Sequence, residues 1–299
     1  MKNINTLNVV TFGEVLWDIF PTHKKIGGAP LNVALRMNSL KANACIISRV
    51  GVDEDGDEII SFLKNQNVST DTVQFDCDYK TGIVNVMIND KGNASYDIQY
   101  PSAWDKIVTN KLIDEKVSNT DAFVFGSLIC RDEISRSTLY SLLEKAKYKV
   151  FDVNLRSPYF TTEVINELML KADFIKLNDE ELWEISRKLE SPYNSFEQNI
   201  KFIAEKTNTN QICVTKGAFG AVLYYNNKFY YNSGYFIKVI DTVGAGDSFL
   251  ATLIVRLLRG KSPQKSLNYA CAVGALVAGH EGANPKISEK EIKKYIMLE

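Results

Sequence analysis

Short apolar runs recur along the chain, and several are followed by a segment whose apolar residues repeat with helical spacing. The predicted strands are 8–12, 44–50, 121–125, 149–153, 173–177 and 211–215. The predicted helices are 30–40, 54–65, 134–147, 179–188, 247–258, 263–278 and 288–297. Strands that alternate with helices form a parallel sheet with helices on its faces. The alternation therefore predicts an α/β fold, a mostly parallel sheet flanked by helices.

One predicted hairpin interrupts this alternation. The runs 82–88 and 94–100 have strand patterning and flank a turn-rich stretch at 89–92. A hairpin within a β/α series usually lies outside the parallel sheet, so we group it with the run 15–20 as a small β lid or interface element. The lid segments are predicted at about 14–29 and 80–105.

A second predicted hairpin, 221–225 and 228–231, extends one edge of the sheet. The chain contains no internal repeat and no Pro/Ser-rich linker. Residues 1–299 are therefore predicted to form a single domain that includes the lid segments.

Composition excludes several classes of function. The formal net charge of −1 gives no overall attraction for nucleic acid, and no apolar stretch approaches the ~20 residues of a membrane helix. We expect neither nucleic acid nor membrane as a partner and predict a cytoplasmic protein. The five cysteines are dispersed without a C-x-x-C pair, and the chain has two histidines, so a zinc site or a Ser-His-Asp triad is not indicated.

Polar side chains follow three successive predicted strands. They are Asn154 and Arg156 after the first, Asn178 and Glu181 after the second, and Thr215, Lys216 and Gly217 after the third. Any one of them could simply cap a helix or a turn. Because ligands of open α/β sheets bind beyond the carboxyl ends of the strands, the alignment of all three favours a ligand site.

The segment 241–247 places Gly244, Ala245 and Gly246 before an apolar helical run that begins near Ser248. Such a turn exposes backbone N–H groups at the positive end of a helix, where anions bind. The alternative is a plain loop-to-helix junction in which Asp247 stabilises the first turn by up to ~1 kcal/mol. Phosphoryl transfer to a hydroxyl needs both an anion site and a carboxylate base, and this segment offers both.

Neither of the common nucleotide-binding fingerprints is present. The chain has no G-x-x-x-x-G-K-[ST] sequence, and Phe249 stands where a dinucleotide fold has its third glycine. P-loop enzymes and NAD-dependent dehydrogenases are therefore disfavoured.

Gly27 and Gly28 precede a helix start, with Asn32 one turn into the helix. The pair could form only a tight turn, with Asn32 on a solvated face. Alternatively, the glycines let the backbone approach a polyol while Asn32 and Asp18 hydrogen-bond its hydroxyl groups.

Two motifs resemble signatures of the ribokinase-like (PfkB) carbohydrate kinases, and the resemblance covers nearly the whole chain. Residues 241–247 read D-T-V-G-A-G-D, similar to the family's D-T-x-G-A-G-D, and 27–34 read G-G-A-P-L-N-V-A, which is closest to fructokinases. The stretch 12–18, F-G-E-V-L-W-D, points the same way. The resemblance implies a Rossmann-like sheet with a small β lid.

The resemblance also implies residue roles. Asp247 is the catalytic base and Gly244, Ala245 and Gly246 form the anion hole, with Arg156 near the γ-phosphate or the accepting end of the sugar. Asn178 and Glu181 organise Mg²⁺ through water, and Thr215, Lys216 and Gly217 border the phosphates and ribose of ATP. The implied sugar-binding residues are Asp18, Gly27, Gly28, Asn32, Tyr100 and Asn154, together with Asp247.

Two further expectations follow from the resemblance. Cys271 stands where ribokinases often have a histidine beside adenine, and Ala272 and Ala275 would supply apolar contact there. A monovalent cation such as K⁺ is expected near 241–242 and 282–283.

The sequence thus predicts an ATP-dependent sugar kinase, with D-fructose as the first candidate substrate. A kinase for 2-keto-3-deoxygluconate or another sugar is the alternative within the family. A sugar- or nucleotide-binding regulator without turnover is the alternative of another class. The lid either covers the sugar or also clasps a second copy in a homodimer.

Overall fold

The computed structural model describes residues 6–88 and 94–296, with the side chains of Ile88, Ala94 and Ser95 excepted. The predicted turn at 89–92 and residue Met297 of the last predicted helix lie outside the described residues. The strands are β1 (Asn8–Phe12), β2 (Leu16–Ile19), β3 (Lys24–Gly27), β4 (Asn43–Gly51), β5 (Val73–Asp76), β6 (Gly82–Ile88), β7 (Ala94–Ile98), β8 (Ala122–Gly126), β9 (Lys149–Asp152), β10 (Phe174–Asn178), β11 (Gln211–Thr215), β12 (Ala221–Tyr225) and β13 (Lys228–Asn232). The helices are α1 (Ala29–Ser39), α2 (Glu54–Asn65), α3 (Lys111–Ser118), α4 (Glu133–Leu143), α5 (Thr162–Lys171), α6 (Asp179–Lys188), α7 (Phe196–Thr207), α8 (Ala245–Leu258), α9 (Pro263–Ala278) and α10 (Glu289–Ile296).

A nine-stranded sheet forms the centre of the fold, in the order β13-β12-β11-β10-β9-β8-β1-β4-β5. Strands β11, β10, β9, β8, β1, β4 and β5 are parallel, whereas β12 and β13 are antiparallel and extend one edge. The predicted mostly parallel α/β fold is confirmed. The edge strand β5 was not predicted, because its four residues V-Q-F-D include only two apolar side chains.

A second sheet of four strands has the order β3-β2-β6-β7. It contains the predicted hairpin, β6 and β7, and β2 pairs in parallel with β6. Its side chains Val84, Val86 and Ile98 are buried in the same apolar cluster as Trp104. Strand β3 begins with two lysines, so its sequence carries no apolar strand pattern.

Three helices, α3, α5 and α7, were missed by the sequence analysis. Each begins after a residue whose side chain accepts a backbone N–H bond, namely Asn110, Thr161 and Ser195. These N-caps are the local signal that could have located the helices.

The central strands are buried on both faces. The rings of Phe125 and Phe151, on β8 and β9, are stacked with centroids 5.2 Å apart, and both side chains are at most 1% exposed. Because these strands are parallel, the loops after β1, β9, β10 and β11 emerge at one edge of the sheet. Within the described ranges, none of the helices is both long enough and apolar enough to span a bilayer.

Candidate active site

The start of α8 lies at this edge and has a glycine as its N-cap residue. Gly244 is the N-cap residue with a φ of 74°, and the helix begins at Ala245, two residues earlier than predicted. A Cβ atom at Gly244 would lie 2.5 Å from the Cβ of Ala283, so a side chain is excluded both by the backbone conformation and by this contact. The cap has no side-chain hydrogen bond, and the Ala245 N–H bonds to the Thr242 carbonyl at 3.2 Å, so the N–H groups that a ligand could use are those of Gly246 and Asp247.

Asp247 lies in the first turn of α8 and is held by an amide. The Nδ2 of Asn32 donates a hydrogen bond of 2.8 Å to Asp247 Oδ2, and Asn284 Nδ2 donates one of 2.7 Å to Asn32 Oδ1. Burial raises the pKa of Asp247 to about 6, and the nearby charge of Asp152 adds to this effect. The Asn32 bond and the charges of Lys176 and Arg156 act in the opposite direction. A carboxylate with this pKa is ionised at neutral pH and can accept a proton.

A buried ion pair lies beside the α8 start and was not predicted. Lys176 Nζ, on β10, is 3.0 Å from Asp152 Oδ1 at the end of β9, and both side chains are less than a tenth exposed. Lys176 Nζ is also 3.5 Å from where a Cβ of Gly246 would lie. Burial lowers the pKa of Lys176, but Asp152 and Glu181 outweigh burial and raise it to about 12. A lysine inside an otherwise apolar, buried strand is the sequence signal that was missed.

Asn178 and Glu181 form the capping box of α6. Asn178 Oδ1 accepts the Glu181 N–H at 2.7 Å, and Glu181 Oε2 accepts the Asn178 N–H at 2.8 Å. Glu181 Oε1 also accepts the N–H of Leu155, which joins α6 to the loop after β9. Asn178 therefore caps α6, as one of the two interpretations of the sequence predicted, and Glu181 completes the same cap.

Glu181 has a carboxylate that could contact a hydrated metal ion. In the described part of the chain, no group of three or more His, Cys, Asp or Glu residues could hold one. The Glu181 carboxylate keeps free lone pairs beyond its two backbone bonds, so it can still accept a hydrogen bond from a metal-bound water. This donor set fits Mg²⁺ that keeps most of its water, as Mg²⁺ does at phosphate sites.

Arg156 is exposed, and its charge reaches three carboxyl groups of the site. It lowers the pKa values of Glu14, Asp18 and Asp247, whereas the only hydrogen bond of its side chain within the described residues goes to the Leu155 carbonyl. Burial dominates nevertheless, and it raises the pKa of Glu14 to about 7 and that of Asp18 to about 6. Glu14 follows β1, is 5% exposed, and was not predicted as a site residue although it belongs to the quoted motif 12–18.

The glycine pair 27–28 is required by contacts inside the protein. A Cβ at Gly27 would overlap with Asp18 Oδ2, and one at Gly28 would overlap with the carbonyl oxygen of Glu14. Gly28 also has a φ of 114°, which other residues rarely adopt. The pair therefore lets Asp18 and the loop after β1 approach α1.

The remaining predicted residues have different surroundings. Asn154 has a φ of 40° and shares a small cavity with Glu14 and Asp152. Tyr100 donates its hydroxyl proton to Asp132 at 3.0 Å, so its hydroxyl is directed at that residue and not at Glu14, Asp18 or Asp247.

The predicted nucleotide-binding residues lie at two places. Thr215 ends β11 next to β10, and Lys216 and Gly217 form the following turn, where nothing lies within 4 Å of a Cβ built on Gly217. Cys271 lies on α9 and is buried in the same cluster as Phe249. The turn is therefore open to a ligand, whereas the Cys271 side chain is largely covered.

The two segments expected to hold a monovalent cation are in contact. Asp241 Oδ2 accepts the N–H of Gly282 at 3.1 Å and lies 3.9 Å from Lys25 Nζ.

The nine-stranded sheet and the glycine-capped α8 agree with the fold that the motif at 241–247 led us to expect. A family model for the pfkB family carbohydrate kinases matches residues 4–290, and the chain belongs to that family. It is 29% identical to the probable fructokinase-6, chloroplastic, of Arabidopsis thaliana over 312 aligned positions, which cover 95% of this chain and 80% of the relative. The predicted resemblance is confirmed.

Solved structures agree with the family. An uncharacterized sugar kinase from Pyrococcus horikoshii in complex with ATP superimposes with a TM-score of 0.83 at 27% identity, covering 96% of this chain and 97% of its own. A fructokinase with bound ATP from Xylella fastidiosa has a TM-score of 0.86 at 21% identity, covering 97% of this chain and 98% of its own. At 21% identity, the match to the Xylella fastidiosa structure shows a shared fold.

Proposed function

We propose that this protein transfers the γ-phosphate of ATP to the primary hydroxyl of D-fructose, with Asp247 as the base. The observation that carries the proposal is the α8 start, where open N–H groups and the Asp247 carboxylate lie within one helical turn. The family match and the fructokinase relative support it.

Each part of the cluster has a task in this reaction. The N–H groups of the α8 start bind negative charge as it develops on the transferred phosphoryl group. Asp247 accepts the hydroxyl proton, and Asn32 holds its carboxylate in a fixed orientation. The Lys176–Asp152 pair places a fixed positive charge near Gly246.

We propose ATP and Mg²⁺ as the cofactors. Thr215, Lys216 and Gly217 would border the phosphates and ribose, and Asn178 and Glu181 would bond to water of the metal. Bound Mg²⁺ would neutralise charge on the phosphates. Arg156 would contact the sugar or the γ-phosphate.

The charge of the pocket supports a neutral sugar over an acid sugar. Three acids, Glu14, Asp18 and Asp247, lie within range of the charge of one guanidinium, that of Arg156. A substrate carboxylate would be repelled by these acids unless they were protonated. Arg156 itself is the feature that favours 2-keto-3-deoxygluconate, because arginine binds carboxylates in two-point fashion.

The lid assignment, the cation and the location are also proposals. We assign segments 14–29 and 80–105 to a lid that covers the sugar, because they contain the four-stranded sheet. Contact between 241 and 282 supports a K⁺ site there. We further propose a cytoplasmic enzyme, with a lid-mediated homodimer as the candidate assembly.

A substrate panel tests the reaction. Purified protein with Mg-ATP is assayed for ADP formation with fructose, 2-keto-3-deoxygluconate, ribose and other sugars at equal concentrations. Fructose should have the highest kcat/KM. Preference for the acid sugar would reject fructose, and calorimetric sugar binding without ADP formation from any sugar would support the non-catalytic regulator.

The Asp247→Asn variant tests the base. We expect kcat to fall by about 10²–10⁴-fold, because general-base catalysis contributes that much, while the Kd for ATP stays unchanged. Asp78→Asn, at an exposed aspartate outside the cluster, is the matched control. Near-normal turnover of Asp247→Asn would reject Asp247 as the base.

A further inference from the structure

A large groove runs along α1, and its lining does not include Glu14, Asp18 or Asp247. It has a volume of about 910 Å³ and lies between α1, β3, the end of α2 and the segment 281–287. This volume is within the roughly 300–1,000 Å³ typical of small-molecule sites. Side chains such as Ile26, Leu35 and Phe62 give one part of its wall an apolar surface.

Four basic side chains line the groove, and two of them have no acidic partner among the described residues. Lys24, Lys25, Arg36 and Lys286 line it, against Glu281 as the single acid of the lining. Lys24 is neutralised by acids on α2, and Lys25 lies 3.2 Å from Glu281. Among the residues that the structure describes, Lys286 takes part in no ion pair. Arg36 and Lys286 therefore carry the charge that is left without an anion.

Arg36 is the unusual member of this set, because it is only 4% exposed. Its two hydrogen bonds in the described chain go to neutral oxygens, from Nε to Ser248 Oγ at 3.0 Å and from Nη2 to the Pro285 carbonyl at 3.1 Å. Burial lowers its pKa to about 10, with no neighbouring carboxylate to offset the effect. A buried guanidinium without a counter-ion is costly, and such a cost is offset when an anion binds.

We propose that this groove binds a phosphate-bearing small molecule through Arg36 and Lys286 and that its occupancy slows turnover. Arginine recognises phosphate with paired N–H bonds, and Lys286 is adjacent to Pro285, the backbone partner of Arg36. The apolar wall accommodates the carbon skeleton of a phosphate ester.

The groove has two direct connections to the catalytic residues. Arg36 bonds to Ser248, the residue after Asp247, and Asn284 in the groove wall bonds to Asn32, which holds Asp247. An anion that draws the guanidinium into the groove weakens the Ser248 bond. The start of α8 then loses a contact that helps to fix Asp247.

Calorimetry with the full-length protein tests binding, and this part does not depend on the proposed substrate. Inorganic phosphate and fructose 6-phosphate are titrated separately in chloride buffer, with a non-hydrolysable ATP analogue and Mg²⁺ saturating the nucleotide site. We expect Lys286→Gln to raise the Kd by about tenfold, the effect of losing about 1.4 kcal/mol. Lys64→Gln, at an exposed lysine of α2 outside the groove, should leave the Kd unchanged.

Arg36→Lys keeps the charge but loses the paired N–H geometry, and it too should weaken binding. If that variant is unstable, the Kd of Lys286→Gln still tests whether the anion binds in the groove. Tighter binding of the ester than of inorganic phosphate would identify a phosphorylated metabolite as the ligand, and the reverse would identify free phosphate. Equal affinity in wild type and Lys286→Gln, or no saturable binding of either probe, would overturn the proposal.

Kinetics at saturating ATP and sugar test the effect on turnover. Phosphate should lower the kcat of the wild type at least twofold, and Lys286→Gln should have normal basal activity but resist this inhibition. Equal inhibition of both proteins would show that phosphate acts at the active site, which would contradict the groove as its place of action.

Discussion

At the scale of single residues, burial decides the chemistry of the site. Glu14, Asp247 and Lys176 would be ordinary titratable groups in water, yet in the folded chain their pKa values are raised by their surroundings. The two acids are raised by burial, and the lysine is raised by neighbouring carboxylates despite burial. A cluster of groups whose pKa values are shifted by burial and by neighbouring charges is typical of an active site.

The Lys176–Asp152 pair allows a prediction about stability. Lys176→Met should lower the free energy of unfolding by about 3–5 kcal/mol, because it leaves the Asp152 charge buried and unpaired. The double variant Asp152→Asn/Lys176→Met should recover much of that loss. Urea denaturation measures both changes.

Lys188→Met is the matched control for this pair. Its partner Glu184 lies one turn away on α6, and both side chains are more than a third exposed, so the loss should stay below about 0.5 kcal/mol. Equal losses for Lys176→Met and Lys188→Met would contradict a buried, coupled pair.

At the scale of elements, Glu181 joins three pieces of the fold. It lies on α6, and its two carboxylate oxygens accept N–H groups from the end of β10 and from the loop after β9. The loop that carries Arg156 is thereby fixed relative to the strand that carries Lys176.

Glu181→Gln tests this junction. The amide offers one acceptor and places an NH₂ group against a backbone N–H donor, so one buried N–H is left unsatisfied. We expect a loss of about 1–3 kcal/mol in urea denaturation. The neighbouring exposed Glu180→Gln should be nearly neutral, and equal effects of the two would refute the junction.

At the scale of the whole molecule, the buried acids make stability depend on pH. The pKa of Glu14 is about 7 in the folded protein against an ordinary value of 4.5, so the folded state binds more protons between these values. Stability is therefore full below about pH 4.5 with respect to this group, and it falls as pH rises to about 7.

Glu14→Gln removes this contribution. The free energy of unfolding of the variant, relative to wild type, should increase by about 2–3 kcal/mol from pH 5 to pH 8. Urea denaturation at the two pH values measures this difference. Asp18 and Asp247 also make stability depend on pH, but they are present in both proteins, so their contributions largely cancel. The exposed Glu54→Gln should give a constant difference, and a constant difference for Glu14→Gln would refute the raised pKa.

The sequence alone determined the fold class and the family. The spacing of apolar residues along the sequence is enough to predict the alternation of strands and helices. The motif at 241–247 is contiguous, so its glycines and aspartate can be recognised without knowledge of the fold. The order of the sheet, with β1 between β8 and β4, is not encoded in any local pattern.

Only the tertiary structure decided which distant groups meet. Lys176 and Asp152 lie on neighbouring strands, and Arg36 reaches Ser248, 212 positions further along the chain. Capping and turn preferences act over a few residues, whereas burial and charge pairing depend on the packing of the complete sheet and its helices. The ionisation of the site and the unpaired charge of Arg36 in the groove therefore arise only when the whole chain has folded.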